Sequence, residues 1–196
     1  MHVNWKISQS MALTPSNMLE LGTKAPDFIL PDVTTQRMVD FAGVAGSNGT
    51  LVMFICNHCP YVVHVQDELV RICADFQGRQ IGFVAISSND TARYPDDAPL
   101  FMAQQAARVG FQFPYLYDED QQVAQAYHAA CTPDFYLFDG DGILVYRGRL
   151  DESRPTNGIP VTGKDIRHAI ENLLNGKEQA DVQYPSMGCG IKWKGM

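Results

Sequence analysis

The sequence predicts an α/β domain: a central mixed β-sheet flanked by helices. Three observations lead there. Residues 50–55 and 80–87 are short runs dominated by apolar residues without strict alternation, the pattern of strands covered on both faces. Between them Val62, Val65, Leu69, Ile72, Cys73 and Phe76 recur at helical period, so the two runs read as a parallel pair joined by a crossover helix. Farther on, residues 135–138 and 143–147 flank Asp139-Gly140-Asp141-Gly142, a hairpin signal because glycine enters positive φ without steric cost, which adds an antiparallel pair.

The remaining elements follow in chain order. Residues 1–19 mix Trp5, Lys6 and polar residues without a continuous apolar stretch and read as an N-terminal arm, disordered or an over-long start. Residues 26–30 and 37–41 form a small N-terminal hairpin, and 43–49 a loop. After the crossover unit, residues 89–99, rich in Asp and Pro, read as a surface loop. Residues 100–109 are a helix, 113–117 a brief strand, and 121–128 a short helix. A closing helix over 163–174 carries Ile166, Ala169, Ile170, Leu173 and Leu174 on one stripe. The expected domain spans 20–176, and 177–196 forms a glycine-containing tail with Cys189.

At 196 residues the chain fits one domain with a substantial core. A formal charge of −7, without a Lys/Arg cluster, argues against nucleic-acid binding. The first twenty residues resemble neither a secretory signal nor a membrane span, so the expected location is cytoplasmic, with no membrane partner. Five cysteines, at 56, 59, 73, 131 and 189, are an odd number in a chain too large to need disulfide staples, and suit reducing surroundings.

Two of those cysteines carry the chemistry. Cys56-Asn57-His58-Cys59 stands where a predicted strand hands over to a predicted helix. Unpaired N–H groups and the helix dipole there favour a thiolate, expected here at Cys56, and the second thiol three residues on can close a disulfide with it. Structural zinc calls for more ligands than this pair, and the sequence has no second C-x-x-C, so no metal is expected, while an inert packed pair stays open. Cys73 lies on the apolar helix stripe and reads as core. Asp139-Gly-Asp-Gly142 lacks the further ligands of a calcium loop and reads as a turn.

The element order, with C-x-x-C at the head of the first long helix and Thr132-Pro133 before a strand, resembles the thioredoxin superfold over roughly residues 20–175. Ala25-Pro-Asp-Phe28, Asn57-His-Cys-Pro60, Cys131-Thr-Pro-Asp-Phe135 and the tail 186–193 are similar to a peroxiredoxin-like branch near the AhpC/TSA group that retains a C-x-x-C. The resemblance implies a thiol-disulfide oxidoreductase in which Cys56 attacks, Cys59 resolves, His58 favours the Cys56 thiolate, and Thr132 with a cis Pro133 shapes the substrate side. It implies no cofactor beyond the redox-active disulfide, and a thiol reductant, protein disulfide or peroxide as partner; the oligomeric state is left open. The alternative is a peroxidase with Cys59 as the peroxide-reacting thiol. Aligned on Cys59-Pro60, however, the family's activating Thr and Pro positions hold Cys56 and Val52, and no arginine lies around Thr132-Pro133. A redox-sensing module that binds partners is a further alternative. Cys131 is either an extra redox thiol or a buried small side chain, and Cys189 a third redox thiol, an unreactive tail cysteine or an intermolecular bridge.

Overall fold

The computed structural model describes residues 13–195, so most of the expected arm, residues 1–12, lies outside the described residues. A five-stranded sheet forms the centre. Its members are β4 (Gly49–Phe54), β5 (Ile81–Ser87), β6 (Tyr115–Tyr117), β8 (Asp134–Phe138) and β9 (Leu144–Gly148), in the order β6-β5-β4-β8-β9. The pairs β4–β5 and β5–β6 are parallel, and β4–β8 and β8–β9 antiparallel, giving the mixed sheet that the crossover unit and the hairpin predict.

Helix α2 (Pro60–Phe76) is the crossover between β4 and β5. Every residue of β4 is buried because both sheet faces are covered. Leu51 and Met53 point to one face, among Val62, Leu69 and Ile72 of α2 and Ile166 and Ile170 of α5 (Lys164–Leu174). Val52 and Phe54 point to the other, among Phe28, Tyr127, Tyr136 and Phe138. Each large apolar side chain fully removed from water in this way contributes roughly 1.5–3 kcal/mol. Helices α3 (Pro99–Val109) and α4 (Gln122–Ala126) complete the flanking layers.

The N-terminal hairpin is present as β2 (Ile29–Pro31) and β3 (Met38–Asp40). Its second strand ends earlier than expected because the Asp40 side chain accepts from Gly43 N and caps a one-turn helix, α1 (Phe41–Val44), in what the sequence presented as plain loop.

Both ends of the chain differ most from expectation. β1 (Leu13–Pro15), β10 (Met187–Gly190) and β7 (Cys131–Thr132) form a second, three-stranded sheet in the order β1-β10-β7. Residues 13–19 are therefore not a loose arm: β1 pairs with β10, and Ser16 Oγ donates to the buried Asp134 carboxylate at 2.9 Å. The tail is likewise built in. Its glycines serve close approach, since a Cβ on Gly188 would lie 2.0 Å from the Thr132 carbonyl oxygen.

Candidate active site

The chain leaves β4 at Phe54, and Ile55 N still donates to Ile86 O at 3.0 Å, holding the next turn at the sheet's end. Pro60, which lacks an N–H, takes the first helical position, where that donor would have no intrahelical partner. Cys59 is consequently the N-cap, and its carbonyl accepts from Val62 N and Val63 N. Cys56 stands three residues earlier, outside the helix.

Three sulfurs meet here. Cys59 Sγ lies 2.7 Å from Cys189 Sγ and 3.2 Å from Thr132 O, and Cys56 Sγ lies 3.3 Å from Thr132 Oγ1. Strand pairing explains the arrival of Cys189 from the far end of the chain: in the β10–β7 register it faces Thr132. The Thr132–Pro133 bond is cis, as the resemblance implies. All three thiols are closed to solvent, with Cys56 2%, Cys59 0% and Cys189 2% exposed.

The charge preference within the cluster is the reverse of the one expected. Hydrogen bonds from the Cys189 and Cys56 thiols, aided by the backbone amides of Val62 and Cys189, outweigh burial and hold the Cys59 thiol far below its ordinary pKa. Burial pushes Cys56 well up, and its hydrogen bond to Cys59 and the Asp97 charge push the same way. Donation to Cys59 together with burial raises Cys189. When protonated, Cys59 donates to the Thr132 carbonyl; when ionised, it is the one sulfur that both neighbours can serve.

His58 was expected to support Cys56. Its Nδ1 instead lies 2.6 Å from Asp97 Oδ2, and its ring stacks on Tyr94 at 5.3 Å and 11°. Burial opposes its charge, yet the Asp97 hydrogen bond and charge carry the His58 pKa above its ordinary value. Asp97, fully buried, also accepts from Asn57 N at 2.8 Å and Asn89 Nδ2 at 2.8 Å. Nothing in the sequence pattern distinguished Asp97 or Asn89, which sit with Tyr94 in the segment read as a surface loop. A metal ion would find Cys56 Sγ, a His58 nitrogen and an Asp97 oxygen within 4.8 Å of one another. The carboxylate is already committed to the motif's backbone, the imidazole and Asn89, so Asp97 acts as a brace for residues 57 and 58.

Of the other candidates, Cys131 is buried, donates to Pro133 O at 3.7 Å and is held protonated by burial. Cys73 lies in the core cluster, its pKa pushed up to about 11 by burial.

The AhpC/TSA family profile matches residues 21–147, well over half of the chain and including the whole C-x-x-C segment. The chain belongs to the AhpC/TSA family. An uncharacterized conserved protein from Geobacillus kaustophilus is 53% identical in its crystal structure, with a TM-score of 0.94 over 96% of this chain and 100% of that one. The thiol-disulfide oxidoreductase ResA of Geobacillus thermodenitrificans is 24% identical over 167 residues, 82% of each chain. The thioredoxin domain of a thiol-disulfide oxidoreductase from Bacteroides vulgatus, 19% identical, superposes with a TM-score of 0.62 over 80% of this chain and 99% of that one, a likeness of fold. This AhpC/TSA member is thus a thioredoxin-like oxidoreductase.

Proposed function

We propose that the protein is a thiol-disulfide oxidoreductase whose redox pair is Cys56 and Cys59, with Cys59 the attacking thiolate and Cys56 a thiol that can close onto it. The carrying observation is the electrostatic asymmetry of the pair: Cys59 stands at the N-cap of α2 beside two thiols that can donate to its sulfur, whereas Cys56 is buried beside the Asp97 charge. Exchange needs a thiolate in line with an incoming sulfur, and Cys59 is the sulfur held in that form. The roles implied by the resemblance are therefore exchanged. Sulfur carries the electrons, so the chemistry requires no bound cofactor; a thiol reductant in a reducing compartment such as the cytoplasm would return the pair to the dithiol.

Because the sulfurs are closed to solvent, a substrate disulfide gains access when the covering tail strand lifts. Peroxide chemistry is a second reading, favoured by the same Cys59 charge within an AhpC/TSA chain. One experiment separates these readings: stopped-flow thiol loss from reduced protein, challenged in parallel with glutathione disulfide and with hydrogen peroxide, for the wild type, Cys56→Ser and Cys59→Ser. The proposal expects Cys59→Ser to slow the initial attack on the disulfide by about 100-fold or more, the scale on which loss of a nucleophile acts, and Cys56→Ser to leave that step. Attack that needs Cys56 and not Cys59 would sink it. Faster loss to peroxide than to disulfide would favour the peroxidase.

A further inference from the structure

Cys189 belongs to the tail, yet its sulfur touches the sulfur of Cys59. Strand register brings the residue itself to the site. β10 lies between β1 and β7 in a register that sets Cys189 against Thr132 and Gly190 against Cys131. The same Thr132 carbonyl that faces Gly188 at close range is the one that accepts from Cys59. Outside the strand the tail is anchored again: Lys192 N donates to Asn89 Oδ1, Asp90 N to Lys192 O, and Lys194 N to Gln121 Oε1. Asn89 in turn donates to Asp97, the brace of the C-x-x-C turn. The tail is thus delivered to the redox pair by its own ladder and tied to the loop that shapes that pair.

An extended segment paired antiparallel to β7, with a cysteine opposite Thr132, is the arrangement a peptide substrate would adopt by adding a strand to that edge. β10 fills the place with the chain's own cysteine. Resting on the reading that Cys59 attacks disulfides, we propose that Cys189 is a third redox thiol, which resolves the mixed disulfide formed at Cys59. The Cys59 thiolate attacks one sulfur of a substrate disulfide, forming a mixed disulfide and releasing the first substrate thiolate, which takes up a proton. The tail returns, Cys189 gives up its proton and attacks the Cys59 sulfur, and the Cys59–Cys189 bond forms as the second substrate thiolate leaves and is protonated. Two electrons pass from the Cys59 thiolate and the Cys189 thiol to the substrate disulfide; Cys189 supplies one of the two protons taken up and solvent the other. Cys56 can afterwards displace Cys189 from Cys59, which moves the disulfide into the C-x-x-C and frees the tail.

The test is incubation of reduced full-length protein with glutathione disulfide, followed by acid quenching, alkylation and intact and peptide mass analysis. In Cys56→Ser, Cys189 resolves the adduct, so bound glutathione falls at least roughly tenfold below that on the Cys56→Ser/Cys189→Ser double variant, as expected for a tethered thiol at millimolar effective concentration. The double variant holds one glutathione on Cys59. Early time points of the wild type contain a peptide joining Cys59 to Cys189, a readout that needs no substitution. Glutathione retained on Cys59 equally by both variants, or wild-type maps that never join Cys189 to Cys59, would overturn the role of Cys189 and leave Cys59 as the attacking thiol. Absence of glutathione from Cys59 in every protein, the double variant included, overturns both readings.

Discussion

Asp97 uses one carboxylate oxygen to hold the backbone of Asn57 and His58 and the other to face the His58 imidazole and accept from Asn89. Asp97→Asn keeps the shape and removes the charge. With that charge gone, burial acts on His58 without its main opponent, so the His58 midpoint falls, and the Cys56 thiol ionises more easily. Titration of the His58 ring protons by NMR reads the first effect; an unmoved midpoint would show that Asp97 does not set it. Because the folded pKa of His58 is raised, its stabilising contribution is fully present below the unfolded value of about 6.5 and is lost as pH rises through the folded one. At this scale the C-x-x-C was readable from the chain, while Asp97 was not, since a loop aspartate gains meaning only from what it folds against. That Cys59 and not Cys56 takes the cap was also readable, because Pro60 favours the first helical position.

Strand β10 packs beside the sulfurs, with Cys189 opposite Thr132. Gly188 packs its α-carbon against Thr132, where a methyl group would sit 2.0 Å from the carbonyl oxygen and 2.7 Å from the carbonyl carbon. Backbone cannot yield there as a flexible side chain would, so Gly188→Ala pushes β10 away from β7. The variant is expected to lose about 1–3 kcal/mol, the usual cost of overpacking, and to alkylate Cys59 at least roughly tenfold faster than wild type, the ratio that corresponds to about 1.4 kcal/mol of easier opening. Denaturant melts and timed alkylation with peptide mapping measure the two. Unchanged labelling beside lowered stability would show that the tail strand does not gate the cluster. The long, strongly periodic α2 and the non-alternating strands β4 and β5 were legible because their patterns repeat over several residues. β1, β7 and β10 are short strands of three, two and four residues, β1 paired with β10 across more than a hundred positions in sequence and β10 with β7 across more than fifty; their glycines and prolines read as loop punctuation.

Across the molecule, stability is coupled to a carboxyl group between the two sheets. Asp134 begins β8, is fully buried, and accepts from Ser16 Oγ and Tyr136 Oη at 2.9 and 2.8 Å, while burial raises its pKa to about 7. The folded state therefore binds this proton more tightly than the unfolded chain, and stability falls as pH rises from about 4 through about 7, by about 3–4 kcal/mol from this group. Asp134→Asn, which cannot ionise, should gain stability relative to wild type at pH 8 and show little gain at pH 4, as measured by urea denaturation at the two values. An equal difference at both would show that Asp134 does not titrate over this range. Ser16, next to β1, reaches this carboxyl, so the N-terminal residues and the pH response belong to one structure. By itself the sequence determined the α/β class, the crossover helix, the hairpin and the cysteine pair at the head of that helix, because each rests on contiguous periodicity or a motif within a few positions. The tertiary structure alone decided that Cys189 joins that dithiol, that Asp97 braces it and that the charge favours Cys59, because these depend on burial and on contacts between segments that only the closed chain brings together.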